Sequence, residues 1–314
     1  MMPKPLSIRL GRLRRMTIAA GYVCNTGIVL CADTQETIPG YTKNKGNKLI
    51  AFQCPSLNLV FAGSGNNATQ IDETAYEVAA QIIADEPKDA RAFRRSLRTV
   101  LEELFPKAHY PRGPQPEVDM LMAIKWKGDA SLYRISDCNV APIPQRAAVG
   151  TGVILALQLL ERHYDRTVQI GEAAIICSYV LYHVKKWVDG CGGNTEIALI
   201  PKEGDGITFM PSSEVDKFEV YAQAYDDALN HLLLVAPRTV NNLPLFNAYI
   251  DNARVKLQSA RAPFQEWEVT FREVAEQLGM NFEQMARESE ASMKAFLEQN
   301  TPTQSDFQTK EGQQ

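Results

Sequence analysis

The chain has 314 residues, of which 45% are apolar and 22% charged, with 19 Gly and 17 Pro; this composition excludes a fibrous or wholly disordered protein and leaves room for one large domain with an appendage, or two domains. The formal charge is −4, yet the first sixteen residues carry Lys4, Arg9, Arg12, Arg14 and Arg15 and no acid, leaving 28 basic against 37 acidic side chains in the rest. That balance gives no electrostatic footprint for nucleic acid over the main body, and no run approaches the ~18 apolar residues of a membrane span. The basic leader lacks the apolar stretch of a secretory signal, so a cytoplasmic location is the default and an organelle transit segment the lesser alternative. Six cysteines form no C-x-x-C pair and have no histidine at zinc-finger spacing, so they read as small buried hydrophobes, and no cofactor or metal is expected.

In chain order, Ile18 to Cys24 and Ile28 to Ala32 read as strands joined through Asn25-Thr26-Gly27, followed by a loop from Thr34 to Asn47 and two more strands, Leu49 to Phe52 and Leu57 to Phe61. At Gly63 the pattern turns helical: Ile71, Ala75, Val78, Ala79 and Ile82 share one face, and Asp89 is placed to cap a second helix bearing Phe93, Leu97, Val100, Leu101 and Leu104. After a Pro-rich loop (Pro106 to Pro116) come strands at Val118 to Trp126, Ser131 to Ile135 and Ala147 to Val149, helices at Val153 to Arg162 and Glu172 to Val188, and a strand at Thr195 to Ile200.

Blocks of strands alternating with pairs of helices favour an α+β fold of two face-to-face sheets flanked by helix pairs over a doubly wound one. Past a linker at Lys202 to Gly206 the chain becomes helical: Val215 to Leu234, Leu245 to Leu257, Trp267 to Leu278 and Phe282 to Leu297. The expected organisation is a leader or mis-assigned start (1–16), a main domain (17–204), a helical C-terminal extension (205–298) and a disordered polar tail (299–314).

Five local motifs carry a resemblance. Thr17-Ile18-Ala19-Ala20-Gly21, "GIVLCAD" (Gly27 to Asp33), Lys48-Leu49-Ile50, "FAGSGNNA" (Phe61 to Ala68) and "AVGTG" (Ala148 to Gly152) match, in order and spacing, a proteasome β-type subunit, a member of the N-terminal-nucleophile (Ntn) hydrolases. The resemblance covers Thr17 to about Ile200 and implies a four-layer αββα sandwich, a threonine peptide hydrolase acting through an acyl-enzyme, peptide or unfolded-protein substrates, and assembly into a homo-oligomeric ring or related assembly.

The chemistry of these residues is coherent. A threonine hydroxyl is a weak nucleophile without a base, and an N-terminal threonine brings its own in the α-amine, of ordinary pKa about 7.7–8.0. Thr17 is therefore competent only when nothing precedes it. Asp33 ends the second strand and Lys48 begins the third, so both converge near the start of the first; a buried Lys beside an Asp keeps its charge and eases deprotonation of a neighbouring hydroxyl. A plain ion pair at a sheet end is the alternative. The resemblance makes Asp33 and Lys48 active-site partners, Gly63 the donor to the oxyanion, Phe61 a wall of the specificity pocket and Thr37 the residue whose backbone pairs with an extended substrate. A turn glycine and a core phenylalanine are the bland readings of Gly63 and Phe61.

The departures are specific. Thr151 stands where the family has Ser, keeping a hydroxyl. The support motif D-x-x-S-G-G survives only as Asp189-Gly190-Cys191-Gly192-Gly193, with Cys191 in place of Ser and Asp189 one position too close to the glycines. Met16 precedes Thr17, where self-cleaving precursors have glycine. Either residues 1–15 are a propeptide or Met16 is the true start, trimmed to free the Thr17 amine. His163 and His183 lie in helical sequence with no partner at ligand spacing and read as packing or surface residues. The competing functional readings are a non-catalytic structural or interaction subunit and a small-molecule Ntn amidase.

Overall fold

The computed structural model describes residues 17–37, 43–46, 48–54, 57–65, 68–105, 118–204, 206–235, 242–277 and 287. The assignments made above for residues 1–16, 106–116 and 299–314, and for a helix from Phe282 to Leu297, lie outside the described residues, save for Arg287, which is helical.

Two five-stranded antiparallel sheets form the centre. The first runs β10-β1-β2-β11-β12, from β1 (Ile18–Val23), β2 (Gly27–Asp33), β10 (Arg146–Gly150), β11 (Thr195–Pro201) and β12 (Thr208–Phe209). The second runs β5-β6-β7-β8-β9, from β5 (Leu49–Cys54), β6 (Leu57–Gly65), β7 (Val118–Trp126), β8 (Asp129–Ser136) and β9 (Asn139–Ile143). A small ribbon of β3 (Gln35–Thr37) and β4 (Lys43–Lys45) stands apart from both.

Side-chain alternation builds the layers. Along β1, Ile18, Ala20 and Tyr22 enter the core beneath α3 (Val153–His163) and α4 (Ile170–Trp187), whereas Ala19 enters the core between the sheets with Ile28, Leu30, Val60, Ala62 and Leu121. On the far side, Leu59, Phe61, Met120 and Met122 pack under α1 (Ala68–Asp85) and α2 (Ala90–Leu104). Each fully buried Ile, Leu or Phe contributes about 1.5–3 kcal/mol. The result is the αββα sandwich the sequence predicts. Asp89 caps α2 as expected, its carboxylate accepting the Arg91 and Ala92 amides at 2.8 Å each.

Four details differ from expectation. β6 continues to Gly65, so Gly63 lies within the strand, opposite Met120, and not at a strand-to-helix turn. β9 contains Pro142 and is an edge strand, the position where a missing amide is tolerated, and its exposure hides the usual alternation. β3 and β4 occupy what reads as loop. The segments read as separate helices around Leu257 and Trp267 are one helix, α6 (Leu243–Gln277), which runs through Pro263.

α5 (Ser212–Val235) is not a detached appendage: Val215 and Phe218 are buried in the core under α3 and α4, and α6 packs along α5. Among the described residues, no helix is long and apolar enough to cross a membrane.

Candidate active site

Thr17 stands just before β1 and Asp33 ends β2. The hairpin register, Ala19 opposite Ala32, puts the two ends side by side. Thr17 is 5% exposed and Asp33 fully buried. The Thr17 hydroxyl donates to Asp33 Oδ1 at 2.6 Å, and the Ile18 amide donates to the same oxygen at 3.2 Å. The Thr17 carbonyl accepts the Thr151 amide at 2.8 Å. That bond depends on Gly150, whose φ is +107° and where a Cβ would come within 2.2 Å of the Thr17 oxygen.

Lys48 precedes β5, in the other sheet. Its ammonium donates to Thr17 Oγ1, to Asp33 Oδ1 at 2.8 Å and to the Gln35 carbonyl. Its backbone is fixed by Glu196 on β11, whose Oε2 accepts the Lys48 and Leu49 amides at 2.9 and 3.3 Å. A buried carboxylate is stable only when paired and hydrogen-bonded, and Asp33 has both kinds of support. The Thr17 hydroxyl, the Asp33 carboxylate and the Lys48 ammonium thus meet at one end of the sandwich, from both sheets.

The second oxygen of Asp33 faces the loop after α4. Gly192 N–H donates to Asp33 Oδ2 at 2.9 Å, while the Gly192 carbonyl accepts the Gln35 amide at 3.0 Å and the Gln35 side chain donates to the Gly190 carbonyl at 3.2 Å. Cys191 is buried here. Burial, and then the charge of Asp33, push its thiol up to about 12, with Lys48 and a hydrogen bond from the Gly152 backbone pulling the other way. The sulfur therefore stays a neutral thiol at physiological pH and is no competing nucleophile.

The remaining predicted residues are placed unevenly. Thr151 contributes its backbone amide, and its side chain is exposed. Asp189 is exposed in the turn before Cys191 and stands outside the Thr17 hydrogen-bond network; the Gly192 amide is what reaches Asp33 from this loop. Gly63 is buried in β6, where a Cβ would meet Met120 Cβ at 2.8 Å, so close packing alone requires glycine there. Phe61 is wholly buried under α1 and α2, edge-to-face with Phe52 at 5.9 Å. This is the place of a core residue, with no surface open as a pocket wall. Thr37 ends β3, its backbone opposite Lys43 of β4.

His163 and His183 are away from this site. His183 pairs with Asp226 of α5 at 3.1 Å, and His163 packs its ring on Tyr179 at 5.1 Å. Among the described residues no group of three metal-ligating side chains forms a cation site.

Glu196 and Gln35 were missed by sequence reasoning, and Gly192 was read only as part of the support motif, without a role of its own. Glu196 is an acid in an otherwise apolar strand directly after Thr195, a signal that a carboxylate has a specific partner. Gln35 and Gly192 act through backbone or amide groups, which leave no pattern.

The sequence model of the family described as "Proteasome subunit" matches residues 15–200. No curated protein sequence matches the chain significantly. Solved structures with a similar fold include Anbu, an ancestral β-subunit, from Yersinia bercovieri, with TM-score 0.57 and 12% identity over 69% of this chain and 97% of that one. They also include Anbu from Hyphomicrobium sp. strain MC1, in a mutant form with TM-score 0.56 and 14% identity over 68% of this chain and 95% of that one, and in a further crystal form with TM-score 0.54 and 15% identity over the same shares. With more than half its length matched in sequence and the same four layers in its fold, the chain belongs to the proteasome subunit family.

Proposed function

We propose that this chain is a threonine-type peptide hydrolase whose nucleophile is Thr17, acting within a self-assembled homo-oligomer in the cytoplasm on peptide or unfolded-protein substrates. The observation that carries the reading is the mutual bonding of Thr17 Oγ1, Asp33 Oδ1 and Lys48 Nζ. With residues 1–16 removed, the Thr17 amine takes the proton of its own hydroxyl as Oγ1 attacks the substrate carbonyl. The charge of Lys48 lowers the free energy of the forming alkoxide, and Asp33 orients Lys48 through its ion pair. The amide of Gly63 is the proposed donor to the oxyanion. Collapse expels the substrate amine, which leaves with the proton, and water then hydrolyses the Thr17 ester. The backbone of Thr37, at the end of a two-stranded ribbon, is the proposed pairing edge for an extended substrate.

The test is hydrolysis of fluorogenic peptides by the purified protein, with its N-terminus read by intact mass. Loss of at least 1,000-fold in Thr17→Ala is expected for a nucleophile. Equal activity in wild type and Thr17→Ala, or a fully folded protein starting at Thr17 that cleaves no peptide, overturns the reading.

A second reading has one specific observation in its favour. Asp189 is exposed and Cys191 replaces a serine, so the loop beside Thr17 departs from the family's support motif. A non-catalytic subunit of a proteasome-like assembly fits that departure.

A further inference from the structure

We propose that Glu219, on α5 and beyond the region matched by the family, is a positioning residue for the Asp33 carboxylate. The inference rests on the proposed role of Asp33. It starts from the segment Gly192 to Thr195, which gives its Gly192 amide to Asp33 Oδ2 and pairs Thr195 with Asp33 across β2 and β11.

Two glycines make this segment soft. Gly193 has φ of +74°, and a Cβ there would fall 2.6 Å from Thr34 Oγ1; at Gly192 a Cβ would fall 2.3 Å from Gln35 Oε1. The left-handed φ favours glycine at 193, a side chain at 192 would have to displace the Gln35 amide, and neither glycine carries a side chain to hold the segment. The anchoring comes from neighbours. Thr34 Oγ1 accepts the Asn194 amide at 2.8 Å, Lys185 Nζ donates to the Gly193 carbonyl at 3.2 Å, and Glu219 Oε1 accepts the Thr195 hydroxyl at 2.6 Å and the Lys185 ammonium. Glu219 joins Thr195 to Lys185, and the charged bonds it makes are roughly twice as strong as neutral ones. Its own position is set by Val215 and Phe218, buried before it along α5, and by Ala222, buried after it. Helix α5 thereby reaches the reacting end of the sandwich through Glu219, Thr195 and the glycine pair. With that anchor cut, the Gly192 amide drifts from Asp33, and the carboxylate that orients Lys48 loses one of its fixed donors.

The test compares Glu219→Ala, Thr195→Val and the double variant in the full chain, with two readouts. For peptide hydrolysis, kcat falls about tenfold in each single variant while KM stays within about twofold, and the double variant is no worse than either single, because all cut one connection. For amide hydrogen exchange, peptides covering residues 190–195 exchange at least about tenfold faster, and those covering β1 and β2 are unchanged. Unchanged exchange in 190–195 overturns the proposal whether or not the protein hydrolyses peptides. Faster exchange with unchanged kcat overturns it too, as does a fall in kcat matched by an equal loss of folded protein. Inactive wild type sinks the hydrolase reading instead, and the exchange result still decides whether Glu219 holds the loop.

Discussion

Glu196 holds Lys48 by its backbone while Thr17 and Asp33 hold it by its side chain. The Glu196 carboxylate accepts the amides of Lys48 and Leu49 from across the gap between the two sheets. It ties the start of β5 to β11, and so fixes where the ammonium ends.

Replacing Glu196 with Ala leaves two amides at the start of β5 without their acceptor. A loss of about 1–3 kcal/mol is expected, read by urea unfolding, with Glu196→Gln recovering most of it because an amide oxygen still accepts. A Glu196→Ala protein as stable as wild type shows that water replaces the carboxylate at no cost.

The pair Asp33 and Lys48 is almost wholly removed from solvent, with side chains 0% and 10% exposed. Lys48→Met strands a buried carboxylate and is expected to cost about 3–5 kcal/mol, whereas Asp33→Asn combined with Lys48→Met recovers a large part of it. Thermal or urea unfolding of Asp33→Asn, Lys48→Met and the double variant checks this without any activity assay. Additive losses contradict the coupling.

Cys191 offers a labelling test. With its thiol pushed up to about 12, Cys191 is almost wholly protonated at pH 8, and the residue is 6% exposed. Iodoacetamide at pH 8 is expected to leave Cys191 unmodified in the folded protein and to alkylate it in urea, as peptide mass mapping reads directly. Rapid labelling of the native protein refutes this placement of the loop.

His163 predicts a pH dependence of stability. Its Nε2 is buried without a hydrogen-bond partner, and burial, then the charges of Arg162 and His183, lower its proton affinity below the ordinary imidazole value of 6.5. Below 6.5 the unfolded chain binds the proton more readily than the folded one, so stability falls as pH drops from about 6.5 toward the lowered folded value. The fall in Tm between about pH 7 and pH 5 is therefore expected to be shallower in His163→Gln than in wild type. Equal slopes rule the residue out as a source of acid sensitivity.

Much of the sandwich was legible because periodicity and chain order record which faces are buried. β7 was readable to the residue, the hairpin register sets Thr17 beside Asp33, and Lys48, which reaches them from the other sheet, was named through the family resemblance. What escaped has physical causes. β9 is an exposed edge strand with a proline and shows no alternation. β12 is two residues long. Gly63 was placed at a turn because glycine signals turns as readily as close packing, and only the Met120 contact separates the two. Phe61 sits on the helix-facing side of β6, which nothing in its sequence motif distinguishes from the other face. Glu196 stands out as an acid in an apolar strand, but nothing local names its partner, and Glu219 acts across a distance of chain that carries no local pattern.

The bond between Gly192 and Asp33 joins groups 159 positions apart, and the one between Thr151 and Thr17 ties the first strand to a turn just short of the middle of the chain. Non-local pairings of this kind form late, after the intervening segments have found their places. During synthesis, a ribosome must have released most of the chain before Asp33 receives its Gly192 donor. Whatever reactivity depends on that donor is thus withheld from chains that stop short of Gly192 by topology itself, an ordering in time written into the connectivity of the sheets.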